Sequence, residues 1–314
     1  MRHFTSAADV NNLDTILAEA LALKQDPFGM KHIGENSTLG LLFFNSSLRT
    51  RMSSQKAAAN LGMNVMIMNV SQDSWQLEME DGVVMRGDKA EHIREAAAVL
   101  GTYCDILGVR SFPGLQDRDL DYSETVIQAF IQHSGVPVIS LESATLHPLQ
   151  SLADLITIQE LKTIEKPKVV MTWAPHIKAL PQAVGNSFAQ WANKAALDLT
   201  IVQPKGFELK EEFTNGARIL HDQEEALQNA DFVYVKNWSS YQDYGKVNTD
   251  PSWIVDQEKL KHTNNAKVMH CLPVRRNVVI ADDVLDSDSS VVIKQAENRV
   301  YSAQVVLKNI LAGL

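Results

Sequence analysis

Short apolar segments alternate with amphipathic segments along almost the whole chain, and this alternation restricts the fold more than any other feature. The apolar segments predict nine strands, at residues 38–44, 64–70, 103–109, 136–141, 168–173, 197–202, 231–236, 266–272 and 290–294. They are continuously apolar, which is typical of strands covered by helices on both sheet faces. The amphipathic segments predict helices at 52–61, 91–100, 123–133, 149–163, 181–194 and 222–229. This order predicts an α/β protein with doubly wound parallel sheets.

The length of 314 residues and the spacing of the strands favour two domains. Four predicted strands precede residue 142 and five follow residue 166, with a long predicted helix from His147 to Lys162 between them. We predict one domain at residues 1–141, joined by the C-terminal helix 297–314, and a second at residues 142–296. In such sheets ligands bind beside the carboxyl ends of the strands.

Composition excludes several classes of function. The 29 Lys and Arg against 38 Asp and Glu give a net charge of −9, which argues against a nucleic-acid partner. Only Cys104 and Cys271 are present, so we expect no disulfide framework and a reducing, cytoplasmic location. The chain shows no signal-peptide pattern, no membrane-length apolar run and no cluster of metal ligands. We therefore expect no membrane partner, no metal and no cofactor.

The segment "NSSLRTR" (45–51) follows the first predicted strand and opens a predicted helix. Helix N-termini favour anions, and the hydroxyls of Ser47 and Thr50 with the guanidinium groups of Arg49 and Arg51 suit phosphate oxygens. Alternatively, the serines cap the helix and the arginines form surface ion pairs. Neither GxxxxGK[ST] nor GxGxxG follows this strand, so we expect a phosphate that does not belong to a nucleotide.

Other chemically active residues also follow predicted strands or open helices: Arg110, His147, Gln150, Cys271 and Arg299. Each has a structural alternative. Arg110 could cap a helix, His147 could be a core residue and Cys271 could be buried and inert. Because all of them occupy strand ends or helix starts, we expect several to share one site.

Four strings in order, "SLRTR" (47–51), "GVRSF" (108–112), "HPLQSLADLITIQE" (147–160) and "HCLPVRRN" (270–277), identify a family resemblance. The chain resembles the aspartate/ornithine transcarbamylase family over essentially its full length. The resemblance implies transfer of a carbamoyl group from carbamoyl phosphate to an amine, in a homotrimer of two-domain subunits.

The resemblance also implies roles for individual residues. The implied carbamoyl phosphate-binding residues are Ser47, Leu48, Arg49, Thr50, Trp75, Arg110, His147, Gln150, Cys271, Leu272 and Arg299. Those implied to act in catalysis are Thr50, Arg110, His147 and Cys271. Trp75 resembles a tryptophan that reaches a neighbouring subunit's site, and its alternative is local packing in its own loop.

Lys236 indicates which amine is used. By resemblance, ornithine enzymes have an aspartate at this position and an S-M-G string that is missing here. Two like charges about 4 Å apart repel by about 4 kcal/mol at an effective dielectric constant near 20. A lysine would therefore disfavour the α-ammonium of free ornithine and favour an N-acylated ornithine with a free carboxylate.

The segments 172–187, 236–238 and 262–273 resemble acetylornithine and succinylornithine transcarbamylases, which implies a trefoil knot near residues 172–187. By resemblance, a glutamate in acetylornithine enzymes or a proline in succinylornithine enzymes occupies the position of Ala90. We expect N-succinyl-L-ornithine as the acceptor in arginine biosynthesis, with N-acetyl-L-ornithine as the alternative. The expected acylornithine-binding residues are Glu142, His176, Lys178, Lys236, Arg275 and Ala90.

Three alternatives remain open within this set, and two competing classes of protein remain open beyond it. Lys178 could be a solvated surface lysine, Glu142 could belong to a buried ion pair, and Arg276 could replace Arg275. A nucleotide-dependent enzyme and a two-lobed anion-binding protein are the competing classes.

Overall fold

The computed structural model describes residues 1–314, apart from the side chain of residue 71. The chain divides into two compact units. The first unit comprises Met1–Pro113, Asp119–Leu149 and Arg299–Leu314, and the second comprises Gly114–Arg118 and Gln150–Asn298.

Residues 1–142 build a four-stranded parallel sheet flanked by helices. In chain order the elements are α1 (Leu13–Gln25), β1 (Thr38–Phe43), α2 (Arg49–Asn60), β2 (Asn64–Asn69), α3 (Val70–Asp73), β3 (Leu77–Glu78), β4 (Glu91–His92), α4 (Ile93–Tyr103), β5 (Ile106–Arg110), α5 (Arg118–Tyr122), α6 (Thr125–His133) and β6 (Val138–Glu142). The sheet order is β2-β1-β5-β6, and β3 pairs separately with β4.

The register of this sheet aligns four side chains at its carboxyl edge. Phe43 of β1 lies opposite both Asn69 of β2 and Arg110 of β5, and Arg110 lies opposite Glu142 of β6. The chain leaves β1 toward β2 on one side and later continues from β5 to β6 on the other. The gap between β1 and β5 is therefore a topological switch point, where sheets of this kind bind ligands.

Residues 148–311 contain a five-stranded parallel sheet and the remaining helices. The elements are α7 (Pro148–Leu161), β7 (Lys168–Trp173), α8 (Ala183–Lys194), β8 (Asp198–Val202), α9 (Glu211–Thr214), β9 (Arg218–Leu220), α10 (Gln223–Leu227), β10 (Phe232–Lys236), α11 (Gln257–Leu260), β11 (Lys267–Met269), α12 (Asp282–Leu285) and α13 (Val292–Leu311). The order is β11-β10-β7-β8-β9. Its switch point lies between β7 and β10, where Trp173 and Lys236 are in register.

The prediction of an α/β protein with parallel, doubly wound sheets is confirmed. One predicted strand is wrong: in 290–294 only Ser290 forms a bridge, to Val268, and α13 begins at Val292. Val291 and Val292 are buried at the start of this helix. A short apolar run has the same pattern whether it belongs to a buried strand or to a buried helix turn, which explains the wrong prediction. The fifth strand is β9, whose three residues are mostly exposed and give no apolar run.

No helix within the described part of the chain is both long enough and apolar enough to cross a membrane. The knot expected near residues 172–187 and the substrate assigned to each predicted domain stay predictions.

Candidate active site

The turn between β1 and α2 has the features of an anion site. The N-cap of α2 is Leu48, in the right-handed helical region, and no side chain caps the helix, so the serine cap that was the alternative to an anion site is not formed. Arg49 and Arg51 add positive charge to the positive end of the helix dipole, and the first turn contains no acidic residue to compensate it. Ser47 is half-buried and Leu48 is exposed. This arrangement disfavours helix stability and favours a bound anion.

Two arginines are held at this turn by different contacts. Arg51 donates to the side-chain oxygen of Asn69 and lies 5.1 Å from the centroid of the Phe43 ring. Arg299 of α13 donates from Nη2 to Oγ1 of Thr50 at 2.6 Å, and both residues are buried. The predicted phosphate residue Thr50 and the distant Arg299 are therefore brought together within the first unit.

Arg110 joins the loop after β1 to the end of β6. Its Nη2 and Nε donate to Oε2 of Glu142 at 3.0 and 3.3 Å, and its Nη1 donates to the backbone carbonyl of Ser46. Nε2 of His147 lies 3.6 Å from the same Glu142 oxygen. All three charged or titratable side chains are buried. The alternative expected for Glu142, a buried ion pair, is thus present, and it holds two predicted carbamoyl-binding residues.

The segment between Glu142 and His147 is fixed by Glu124, a residue that sequence reasoning missed. The Glu124 carboxylate accepts hydrogen bonds from Oγ of Ser143 at 2.6 Å and from the backbone N–H of Thr145 at 2.7 Å. Glu124 also has a left-handed φ of 53°. No sequence motif pairs it with this loop, and only the left-handed geometry required before α6 marks the position as unusual.

Trp75 and Ala90 lie in the region of the small β3–β4 pair. The Trp75 indole donates to Glu91 at 2.9 Å, yet 54% of the residue is exposed. Ala90 is also exposed. Within the single chain, the local packing alternative for Trp75 is only partly satisfied, because about half of the residue remains exposed.

Four predicted acylornithine-binding residues form a cationic cluster in the second unit. Nε of Arg275 contacts Nε2 of His176 at 3.3 Å, and Nδ1 of His176 contacts the backbone N–H of Lys178 at 3.1 Å. Burial lowers the pKa of His176, a contact of its Nδ1 with the backbone carbonyl of Lys178 at 3.0 Å raises it, and the charges of Arg275, Lys236 and Lys178 lower it further. We call these four residues the cationic cluster. Lys236 itself is buried at the end of β10.

Arg276, the alternative to Arg275, is engaged elsewhere. It forms ion pairs with Asp282 at 2.9 Å and with Asp286 at 2.7 Å. These hydrogen bonds raise the pKa of Arg276 and lower those of both aspartates. The structure therefore places Arg275, rather than Arg276, beside His176.

The remaining predicted carbamoyl-binding residues lie in the second unit and are mostly enclosed. Gln150 is fully buried and donates to Asp154, Cys271 is buried, and the backbone N–H of Leu272 donates to Nδ1 of His270 at 2.9 Å. Burial raises the pKa of Tyr234 well above its usual value, and Asp154 and Cys271 add to this effect. Among the described residues, no group of three or more His, Cys, Asp or Glu could hold a metal ion.

Comparison with known proteins gives matches along the whole chain. The family profile "Aspartate/ornithine carbamoyltransferase, carbamoyl-P binding domain" matches residues 2–160, and the profile "Aspartate/ornithine carbamoyltransferase, Asp/Orn binding domain" matches residues 181–310. N-succinylornithine carbamoyltransferase of Bacteroides thetaiotaomicron is 53% identical, with 100% of both chains covered. N-acetylornithine carbamoyltransferase of Xanthomonas campestris pv. campestris is 36% identical, with 100% of this chain and 98% of the relative covered.

Solved structures agree with these matches. Acetylornithine transcarbamylase complexed with acetylcitrulline has a TM-score of 0.92 and 34% identity, with 99% of each chain covered. A glutamate-to-alanine variant of N-acetyl-L-ornithine transcarbamylase, complexed with carbamyl phosphate and N-succinyl-L-norvaline, has a TM-score of 0.91 and 34% identity, covering 99% of this chain and 100% of that one. Since both family profiles match and the identity extends over the full length, the chain belongs to the aspartate/ornithine carbamoyltransferase family.

Proposed function

We propose that the protein is a carbamoyltransferase that moves the carbamoyl group of carbamoyl phosphate to the δ-amine of N-succinyl-L-ornithine. The products are N-succinyl-L-citrulline and phosphate, a step of arginine biosynthesis. The observation that carries the choice of acceptor is the cationic cluster, in which the charges acting on His176 come from Arg275, Lys236 and Lys178. The full-length identity of 53% to an N-succinylornithine carbamoyltransferase supports the same choice.

The charges of the possible acceptors explain why this cluster discriminates between them. Free ornithine carries an α-ammonium, which Lys236 would repel. Acylation converts the α-nitrogen into an uncharged amide and leaves the α-carboxylate, which a lysine attracts. A succinyl group adds a second carboxylate, for which Lys178, His176 and Arg275 are suitable partners. The cluster thus suits a dianionic acyl acceptor better than a zwitterion.

The first unit supplies residues suited to carbamoyl phosphate. We propose that the turn with Ser47, Leu48, Arg49 and Thr50 holds the phosphate, with Arg299 as a further cation. Thr50, Arg110 and His147 would donate hydrogen bonds to the carbonyl oxygen as it becomes an oxyanion, which is usually a large term in acyl transfer. The buried contacts among Arg110, Glu142 and His147 support this role because they fix two of these donors in advance.

The reaction forms one C–N bond and breaks one C–O bond. The δ-amine attacks as the neutral base, although an alkyl ammonium has a pKa of about 10.4. Its lone pair forms the bond to the carbonyl carbon, the bridging oxygen leaves with phosphate, and the nitrogen loses a proton. We propose that the departing phosphate accepts this proton and that Cys271 orients the amine.

N-Acetyl-L-ornithine is a second candidate acceptor. The fold match to acetylornithine transcarbamylase complexed with acetylcitrulline favours it. A glutamate-to-alanine variant of that type of enzyme has been crystallised with carbamyl phosphate and N-succinyl-L-norvaline. We propose that Ala90, which likewise provides no carboxylate, favours the succinyl group.

The test is a citrulline-product assay in which ornithine, N-acetyl-L-ornithine and N-succinyl-L-ornithine are each offered with carbamoyl phosphate. We expect kcat/KM to be largest for the succinyl compound and smallest for free ornithine. Preference for free ornithine would overturn the role of Lys236, and preference for the acetyl compound would overturn the assignment of the succinyl group.

We also propose a homotrimer in the cytoplasm, in which Trp75 reaches a neighbouring active site. Leu48 and Met52, one turn apart at the start of α2, are both exposed, as is Trp75, and exposed apolar side chains of this kind could be covered at a subunit interface. Light scattering coupled to size-exclusion chromatography should give three times the chain mass of 34.9 kDa. A monomeric and fully active enzyme would contradict this assembly.

A further inference from the structure

A buried chain of hydrogen bonds in the second unit centres on Asp154 of α7. Its Oδ1 accepts Nε2 of Gln150 at 2.8 Å and Nε2 of Gln295 at 2.7 Å. Gln295 in turn accepts the backbone N–H of His270 at 2.8 Å, and His270 accepts that of Leu272 at 2.9 Å. Asp154, Gln150 and Gln295 are fully buried, so bulk water does not compete for these bonds.

The contact with Asp154 determines which way the Gln150 amide faces. Oδ1 of Asp154 acts as an acceptor, and an amide oxygen has no hydrogen to donate. The amide must therefore direct its NH₂ group toward Asp154 and its carbonyl oxygen away from it. Reversing the amide would set two acceptor oxygens against each other in a buried site, which is strongly unfavourable.

We propose that Asp154 is a specificity-determining positioning residue, which orients the Gln150 carbonyl to accept a hydrogen bond from the NH₂ group of carbamoyl phosphate. This inference rests on the proposed function, in which Gln150 contacts the carbamoyl group. An acyl phosphate with a methyl group in place of NH₂ has no donor and leaves the Gln150 carbonyl without that partner. Sites built around a substrate N–H reject analogues that lack it far more strongly than apolar pockets reject a change in size.

The same oxygen of Asp154 also stabilises the segment that follows β11. Through Gln295 it holds the backbone of His270, and His270 holds that of Leu272, another predicted carbamoyl-binding residue. One carboxyl oxygen thus positions two of the residues assigned to the carbamoyl group. Loss of Asp154 should affect recognition of the carbamoyl group more than binding of the phosphate.

The test compares two stable analogues of the donor that differ only at the group in question. Phosphonoacetamide has the amide NH₂, and 2-oxopropylphosphonate has a methyl group in its place. Calorimetric titration of the full-length protein gives the ratio of their dissociation constants. We expect wild type to prefer the amide by about tenfold or more and Asp154→Ala to reduce that preference to about twofold. Asp154→Asn keeps an acceptor oxygen and should retain most of the preference.

Thr157→Val is the matched control. Thr157 lies one turn further along α7 and accepts a buried hydrogen bond from Asn298 of α13 at 2.9 Å, so its loss also weakens α7–α13 packing. It does not contact Gln150 in this way, and the preference for the amide should remain. If Asp154→Ala does not fold, Asp154→Ser replaces it, because its short hydroxyl cannot serve both glutamine amides.

The outcomes separate this inference from the proposed function. An unchanged preference in Asp154→Ala or Asp154→Ser, with loss of preference in Gln150→Ala, overturns the role of Asp154 alone. An unchanged preference in Gln150→Ala overturns the assignment of Gln150 to the carbamoyl group, and the inference falls with it. An equal loss of the amide preference in Thr157→Val would show that Asp154 acts only through packing of α7, and this too would overturn the inference.

Discussion

The buried Arg110 at the carboxyl edge of the first sheet and the cationic cluster at the edge of the second differ in whether their positive charge is paired with a carboxylate. At the edge of the first sheet, Arg110 is buried and paired with Glu142, with His147 3.6 Å from the same carboxylate. At the edge of the second sheet, Arg275 contacts His176, whose pKa is lowered by burial and by the charges of Arg275, Lys236 and Lys178. The positive charge of Arg110 is therefore paired within the chain, whereas the charges that act on His176 all have the same sign.

This difference separates two kinds of functional residue. A buried ion pair fixes the geometry of its members, because each loses much if its partner is removed. Like charges held close together cost stability, and an anionic ligand offsets that cost when it binds. Under the proposed function, the first edge would provide donors that are positioned before the substrate arrives, and the second would attract a substrate with carboxylates.

The largest expected effect is on stability, after Glu142→Leu. Removal of the carboxylate leaves Arg110 buried without its ion-pair partner, which typically costs about 3–5 kcal/mol. The urea midpoint of unfolding should fall markedly. Arg276→Leu is the matched control, since it breaks exposed ion pairs with Asp282 and Asp286, which contribute little in water. Equal shifts of the urea midpoint in the two variants would show that the buried pair of Arg110 and Glu142 contributes no more to stability than the exposed pairs of Arg276.

The next effect is on acceptor binding, after Lys236→Asp. Replacing the attraction to the α-carboxylate by repulsion should raise the KM for N-succinyl-L-ornithine by about 100-fold, equivalent to about 3 kcal/mol. The KM for carbamoyl phosphate should change little. Lys246→Asp is the control, because Lys246 is an exposed lysine paired with Asp243. If the KM for N-succinyl-L-ornithine were unchanged in Lys236→Asp, the acceptor carboxylate would not be recognised by Lys236 at the edge of the second sheet.

Most of the fold could be predicted because the strands that build the two sheet centres are continuous apolar runs. The prediction for β7 (168–173) has the observed bounds, and those for β1 and β10 are correct within one residue. The prediction failed where the pattern is short: 290–294 is apolar but opens a helix, and β9 is only three residues long. Apolar runs of this length do not distinguish a strand from a buried helix turn.

The candidate site could be predicted only where its residues lie in local motifs. Sequence alone could not choose between the neighbours Arg275 and Arg276, because the choice depends on Asp282 and Asp286 folding back onto Arg276. The contacts of Glu124 with Thr145 join residues 21 positions apart, and no periodicity reports such a pairing. Long-range polar contacts are set by the packing of whole elements, which explains why these supporting residues were missed.

A smaller effect is expected when a negative charge is added beside the first sheet, by Ala90→Glu. Ala90 is exposed, and two like charges about 4 Å apart in water repel by about 1 kcal/mol. The ratio of kcat/KM for the succinyl acceptor to that for the acetyl acceptor should therefore fall by about five- to tenfold. Ala90→Gln has nearly the same size without the charge and should leave more of the preference. If both variants lower the ratio equally, the loop acts through steric exclusion and not through charge.

The smallest effect is a pH dependence at the cationic cluster. Because the folded-state pKa of His176 lies below the ordinary value of 6.5, the unfolded chain binds more protons between the two values, and His176 makes stability fall as pH falls through that range. A bound dianion opposes the charges of Arg275, Lys236 and Lys178 and should raise that pKa, so binding takes up protons just below pH 6.5. Titration calorimetry of N-succinyl-L-norvaline in two buffers with different ionisation enthalpies measures the uptake, which should disappear in His176→Gln. Uptake that persists in His176→Gln would come from another group, and the cluster would then bind its anion without using the histidine.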